Sequence, residues 1–368
     1  MKTALVHEFL ITWGGSDLVV QKFAEIYPEA PIYTSIYDEN QIGAHFEGKR
    51  IITSFLQKVP FSKTKHRFLM PFFPLAFESF DLNGYDVVLS SHHMSAKSVI
   101  TPAETCHICF VHTPMRYAWD HFPQYMSEFG HIAQIPMRIL FHYLRMHDVT
   151  AANRVDYFIA NAHNVARRIK KHYRRDAEVI HSPVLADKFS ISEKIDDYYL
   201  VVSRLVPYKR VDLAVEAFNK LGKKLLVAGS GPELNSLKKS AGPNIEFLGF
   251  VPDEQIPEYY SKCRAFVFPG DEDFGITPLE AQASGRPVIA YGSGGALETV
   301  VGGKTGVFFE EQKIDSLIEA VNKFERIEFD PVKIRSHAEQ FDVSVFKRKI
   351  AEFVESKYSE WKSFGRKA

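Results

Sequence analysis

The residues richest in chemistry lie in one segment, Pro269-Gly270-Asp271-Glu272-Asp273-Phe274-Gly275-Ile276-Thr277-Pro278-Leu279-Glu280-Ala281. It follows the apolar run Ala265–Phe268 and opens a helical pattern. Glu272 stands ahead of the helix, where a carboxylate can accept hydrogen bonds from sugar hydroxyls. Gly275, Ile276 and Thr277 enter a helix N-terminus, whose unpaired amides favour an anion, here a phosphate. Thr277-Pro278-Leu279-Glu280 also has the form of a capping box with proline at the first helical position. On that plainer reading Glu280 caps its own helix.

A second segment, Val201-Val202-Ser203-Arg204-Leu205-Val206-Pro207-Tyr208-Lys209-Arg210, places Arg204 and Lys209 five apart in a loop after an apolar run. A departing diphosphate needs fixed cations, and arginine offers a planar fork where lysine offers a point charge. A third, Trp13-Gly14-Gly15-Ser16-Asp17, puts paired glycines before a helical pattern, allowing close backbone approach to a ligand at a positive helix end. In a fourth, Cys109-Phe110-Val111-His112-Thr113-Pro114-Met115-Arg116-Tyr117-Ala118-Trp119-Asp120, His112 ends an apolar strand. Weaker signals are Ala228-Gly229-Ser230-Gly231, which lacks the third glycine of a dinucleotide fingerprint, and two turns, Phe250-Val251-Pro252 and Gly292–Glu298.

The elements that must position these residues alternate. Apolar runs at Thr3–Val6, Pro31–Ile36, Val87–Ser90, His107–Val111, Tyr157–Ala160 and Glu178–Ile180 are each followed by a turn or helical pattern. A second series occupies Tyr199–Ser203, Lys224–Ala228, Ile245–Leu248, Ala265–Phe268, Val288–Tyr291 and Gly306–Phe309. Helical spacing fills the gaps at Arg210–Lys220, Glu233–Ser240 and Pro278–Ser284. Such alternation predicts an α/β protein with two doubly wound parallel sheets of about six strands each. We expect an N-terminal domain over 1–183 and a second over 184–342, joined through Pro183–Ser190. A terminal helix over 343–368 is expected to fold back onto the first.

The chain has 368 residues, which suits two domains. It carries 45 basic and 45 acidic residues, so a chain-wide nucleic-acid binder is disfavoured. Three cysteines make no disulfide framework and point to a reducing compartment. Cys106 and Cys109 have no second pair to complete a zinc site. No run of about 18 apolar residues appears, and the N-terminal residues do not read as a signal peptide. A cytoplasmic protein is expected, with contact at the inner face of a membrane as an option. Two basic clusters bear on that option. Lys63, Lys65 and Arg67 precede the apolar stretch Phe68–Leu75, and Arg167–Arg175 holds six Arg or Lys in nine residues. A solvated helix face is the usual explanation of the second, and core packing is the plainer reading of Phe68–Leu75. Fourteen of the 15 histidines lie at or before His181.

The pair Glu272 and Glu280, with Phe-Gly between them, resembles the signature of family 4 retaining glycosyltransferases. The resemblance extends over essentially the whole chain, with the four segments in the family's order. It implies the GT-B architecture, two Rossmann-like domains facing across a cleft, with the second binding a nucleotide sugar. By position, Glu272 would contact the donor hexose and Glu280 the ribose, with Arg204 and Lys209 at the diphosphate. Gly15 would approach that diphosphate from the first domain, and His112 would lie beside the sugar. The Gly229 loop would lie near the nucleotide, with Phe250 and Val251 near the base and Phe274–Thr277 at the phosphates. The family usually has Glu where Asp17 stands, which leaves the role of Asp17 open.

The run His112–Asp120, including Arg116, is most similar to bacterial mannosyltransferases of O-antigen and related polysaccharides. It implies GDP-mannose as donor and a saccharide or lipid-linked glycan as acceptor, with Lys63, Lys65, Arg67 and Arg116 on the acceptor or membrane side. No metal or cofactor is expected. Asp271-Glu272-Asp273 has the Asp-x-Asp form of metal-dependent transferases, but its flanks fit the metal-independent class. UDP-glucose or another nucleotide hexose, a GT-B epimerase and a non-catalytic sugar-nucleotide binder are the alternatives.

Overall fold

A computed structural model of the chain describes residues 1–127 and 129–365. The chain divides into two units, Met1–His181 with Lys347–Ala368, and Ser182–Phe346. Each holds one all-parallel sheet, so both demand helical crossovers and coverage on both faces.

In the first unit the strands are β1 (Thr3–His7), β2 (Ile32–Thr34), β3 (Ile51–Thr53), β4 (Val87–His92), β5 (Cys106–Val111), β6 (Tyr157–Ala160) and β7 (Ala177–Val179). They lie in the order β3-β2-β1-β4-β5-β6-β7. The order reverses between β1 and β4, and ligands of such sheets bind beyond the carboxyl ends at that point. All residues of β1, β4 and β5 are buried. Helix Gly15–Ile26 follows β1 and buries Leu18, Val19, Val20, Phe23 and Ala24 at helical spacing.

The second unit holds β8 (Tyr199–Val202), β9 (Leu225–Ala228), β10 (Ile245–Gly249), β11 (Phe266–Phe268), β12 (Val288–Tyr291) and β13 (Gly306–Phe309). Their order is β10-β9-β8-β11-β12-β13, with the reversal between β8 and β11. The core under this sheet joins Tyr199, Val201, Val227 and Val267 to Leu213, Phe218, Leu317 and Val321 of the covering helices.

Three expectations need correction. The first sheet has a seventh strand, β3, which only three residues form. β4 runs two residues past the apolar stretch, through Ser91 and His92, because the sheet rather than hydropathy sets its length. Pro183–Ser190 is no loose linker. Val184, Ala186 and Phe189 are buried, Val184 bridges Asp342, and Arg335 donates to the carbonyls of Ala186 and Phe189. The terminal helix spans Val343–Gly365, and its residues from 347 onward belong to the first unit. Tyr358 Oη donates to Asp86 Oδ1 at 3.0 Å and Lys347 Nζ meets Glu25 Oε2 at 3.0 Å. Residues 366–368 of the expected helix lie outside the described residues.

Candidate active site

In the second unit the singled-out residues sit at the carboxyl edge of its sheet. Arg204 and Lys209 follow β8, Gly229 follows β9, Phe250 and Val251 follow β10, and Glu272 follows β11. The loops after β8 and β11 flank the reversal of strand order, and they are joined. Lys209 Nζ forms an ion pair with Glu272 Oε1, both side chains being mostly buried. Lys209 also lies over the Tyr208 ring, 5.3 Å from its centroid. Arg204 is exposed and donates to Tyr208 Oη at 2.7 Å. One arginine, one lysine and two partners therefore share a single edge.

The Glu272 loop is fixed from behind. Gly295 N donates to Glu272 O at 2.8 Å, and Ser293 Oγ donates to Asp271 Oδ2 at 3.2 Å. A Cβ on Gly295 would stand 2.2 Å from the Phe274 backbone, so that approach requires glycine. The turn Gly292–Glu298 thus serves packing against the glutamate loop. A Cβ on Gly229 would stand 1.8 Å from Ser203 O, and this glycine seats the β9 loop against the β8 loop. Asp271 and Glu272 turn to different partners.

The helix after this loop is Ile276–Ala283, with Gly275 at its N-cap. Its N1 and N2 amides, on Ile276 and Thr277, have no acceptor within the helix. The capping box is a corrected expectation. Thr277 lies inside the first turn and no side chain caps this helix. Glu280 instead accepts from Tyr260 Oη at 3.1 Å, because Tyr260 is fully buried and its hydroxyl needs a partner. Phe274 is buried beside this helix, Phe250 is exposed and Val251 is buried.

Burial pushes the Glu280 carboxyl up to about 7, with the Asp253 charge adding to it. A raised carboxyl stabilises the fold in full below its unfolded value of about 4.5, and that contribution is lost as pH rises through about 7. Glu280→Gln should therefore gain stability relative to the parent between pH 5 and 8, by at most ~3 kcal/mol. Urea unfolding at the two pH values measures this, and a pH-independent difference would contradict it.

In the first unit, His7 ends β1, Ser91 and His92 end β4, and His112 follows β5. Gly15 opens helix Gly15–Ile26, with Gly14 as N-cap. His112 is partly exposed, and burial together with the neighbouring His93, His7 and His92 holds its pKa well below the usual imidazole range. The turn after β4 is clamped by a residue that the sequence did not single out. Glu8 is fully buried, and its Oε1 accepts from the amides of His93, Met94, Ser95 and Ala96 at 2.7–3.1 Å. Burial alone would raise its pKa, but the His92 hydrogen bond, the nearby His93 and the amides outweigh it and keep Glu8 ionised.

Below this turn lies a second unanticipated network. Lys97 and Asp148 are both buried and form an ion pair. Asp148 also accepts from Trp119 Nε1 at 2.8 Å and from Tyr173 Oη at 3.0 Å. Trp119 and Asp120, the end of the fourth motif, are thus internal partners, since Asp120 pairs with Arg168 at 3.1 Å. Arg116 Nη2 meets His121 Nε2 at 2.5 Å. The Arg167–Arg175 run is partly consumed likewise: Lys170 pairs with Asp176, and Arg175 donates to the carbonyls of Ala152 and Asp156. Lys63 pairs with Asp38 at 3.0 Å, Lys65 lies over the Phe61 ring, and Arg67 is exposed. Cys106 and Cys109, three apart on β5, are buried and face opposite sides of the sheet.

Residues 186–357 match the family model described as glycosyl transferases group 1. The match takes in a little under half of the chain, nearly all of it in the second unit. The chain is 34% identical over 138 residues to the GDP-mannose-dependent alpha-(1-6)-phosphatidylinositol monomannoside mannosyltransferase of Mycolicibacterium smegmatis, covering 33% of this chain and 36% of that protein. Over 169 residues it is 31% identical to the alpha-1,3/1,6-mannosyltransferase ALG2 of Dictyostelium discoideum, covering 38% and 39%. The chain thus spans little more than a third of the length of these curated relatives. Its fold is that of Anabaena HepE, solved in complex with UDP, at a TM-score of 0.73 and 18% identity over 97% of this chain and all of that one. The two Rossmann-like sheets accordingly have the GT-B architecture.

Proposed function

We propose that this protein is a retaining glycosyltransferase that moves a hexose from a nucleotide sugar to a saccharide or lipid-linked glycan in polysaccharide synthesis. The observation that carries the reading is the Lys209–Glu272 ion pair, set with Arg204 at the reversal of strand order in the second unit. There Arg204, Lys209 and the amides of Ile276 and Thr277 stabilise the leaving diphosphate. Glu272 orients the hexose, Glu280 meets the ribose, and Phe250 and Val251 attend the base beside the Gly229 loop. In the first unit, Gly15 approaches the diphosphate and His112 attends the sugar. Attack occurs on the face the diphosphate leaves, and the leaving phosphate helps accept the acceptor's proton. No metal takes part in this scheme.

Mannose from GDP-mannose is the donor we favour, because the curated relatives are named as mannosyltransferases. The UDP in the HepE structure supports a uridine nucleotide as the second reading. We place the reaction in the cytoplasm at a membrane surface. Among the described residues no helix is long and apolar enough to cross a membrane. In the first unit, Phe61, Phe68, Phe72 and Leu75 are exposed beside Lys65 and Arg67. Helix His131–Ala152 exposes Ile132, Ile135, Ile139, Tyr143 and Met146 at spacings of three and four. Residues 131–147 include no Asp or Glu, so this stripe suits an anionic lipid surface.

A mass-spectrometric screen of nucleotide sugars against short lipid-linked acceptors in anionic vesicles tests the whole reading. GDP should raise the melting temperature more than UDP, by mass action. Glycosylated acceptor should form only with the GDP sugar. Turnover of donor without acceptor would establish an epimerase instead, and absence of product with every donor would leave a binding protein.

A further inference from the structure

Three neighbouring strands of the first sheet lead into a ring-bearing residue just past their carboxyl ends. Phe9 follows β1, His93 follows β4 and His112 follows β5, around the reversal of strand order. Phe9 and His93 meet edge to face with 5.5 Å between centroids, and His93 and His112 do so at 6.4 Å. His66 extends the row, 4.9 Å from Phe9. All four residues are partly exposed. The turn that carries His93 is the one clamped by Glu8, whose Oε1 accepts from His93 N at 3.1 Å and from the next three amides. Those bonds fix the backbone beneath the His93 ring.

Burial holds the imidazoles of His93, His112 and His66 below the usual range, at His93 against the pull of the Glu8 charge. Near pH 7 these rings are neutral, and a neutral imidazole offers one donor and one acceptor nitrogen. The row itself thus brings no positive charge to a phosphate or carboxylate, and the ionised Glu8 beneath it repels an anion. It matches a neutral sugar, whose C–H face packs on a ring and whose hydroxyls both donate and accept. We propose that Phe9 and His93 form a subsite for a neutral sugar of the acceptor, with His112 at one end of the row and His66 at the other. Phe9 packs against the face of the sugar, and His93 hydrogen-bonds a hydroxyl. That the sugar belongs to the acceptor rests on the transferase reading above; that the row takes a neutral sugar does not.

The full chain with labelled histidine is titrated with the methyl α-glycosides of mannose, glucose and galactose, and separately with inorganic phosphate. His93 and His112 are assigned by His93→Gln and His112→Gln. At least one glycoside should shift the His93 signal in a saturable way, and phosphate should not. Phe9→Ala, and Phe9→Leu, which keeps apolar packing, should each weaken that glycoside about tenfold, as loss of one ring contact does. His107, buried with its Nε2 2.8 Å from Ser90 Oγ, should stay unmoved throughout, which checks that the sheet is intact. A His93 signal indifferent to all three glycosides, one that phosphate shifts equally, or an unchanged affinity in Phe9→Leu would overturn the subsite. With an acceptor from the screen above, Phe9→Leu should raise the acceptor KM about tenfold and leave the donor KM unchanged. A raised donor KM instead would overturn the assignment to the acceptor. Saturable binding at His93 with no transfer from any donor would keep the sugar subsite and reject the transferase reading.

Discussion

Lys209→Ala and Glu272→Gln are each expected to lower sugar transfer at least the roughly hundredfold that accompanies removal of one transition-state charge contact. The two side chains hold one another in an ion pair. An ammonium has three donors, so Lys209 can keep Glu272 in place while it meets a phosphate oxygen. Losing the lysine removes a charge from the diphosphate and releases the glutamate. Losing the carboxylate charge frees the lysine to wander over the Tyr208 ring, against which it lies. The double variant should then fall little below the worse single one, because the residues act as a unit. Initial rates at saturating donor measure all three. Unchanged turnover in both single variants rejects the assignment, and additive losses reject the coupling.

The largest effect on stability is expected at Lys97. Its ammonium is fully buried against Asp148, and Lys97→Ala leaves that carboxylate beside Trp119, Tyr173 and His92 without its lysine. Breaking one side of a buried ion pair costs about 3–5 kcal/mol. Replacing both members, as Lys97→Met with Asp148→Leu, should restore most of it, because no unpaired charge remains. Urea unfolding followed by tryptophan fluorescence reads this directly, since Trp119 touches the pair. A Lys97→Ala chain as stable as its parent would show that the pair carries no such weight.

Most of the fold was legible because parallel strands buried on both faces read as short apolar runs between amphipathic helices. β3 escaped because three residues with polar flanks carry too little signal. The last two residues of β4 escaped because Ser91 and His92 are polar, and their place in the sheet comes from pairing with β5. The carboxyl edge of the second unit was legible because its residues cluster in two short segments. Lys97 with Asp148 was not. The two lie 51 positions apart, and burial of a charge is invisible until the sheet order is known. Thr277-Pro278-Leu279-Glu280 misled for the opposite reason. The local pattern was complete, but Tyr260 offered Glu280 a buried partner that the pattern does not include.

The first unit takes its final element from residues 347 onward. During synthesis its seven strands leave the ribosome long before Tyr358 can reach Asp86 or Lys357 can cover the Tyr157 ring. The unit made first is therefore completed last. A growing chain of this protein holds Asp86, Tyr157 and Glu25 uncovered while the whole second unit is made, and a nascent chain stalled before residue 347 is an unfinished first unit beside a finished second one.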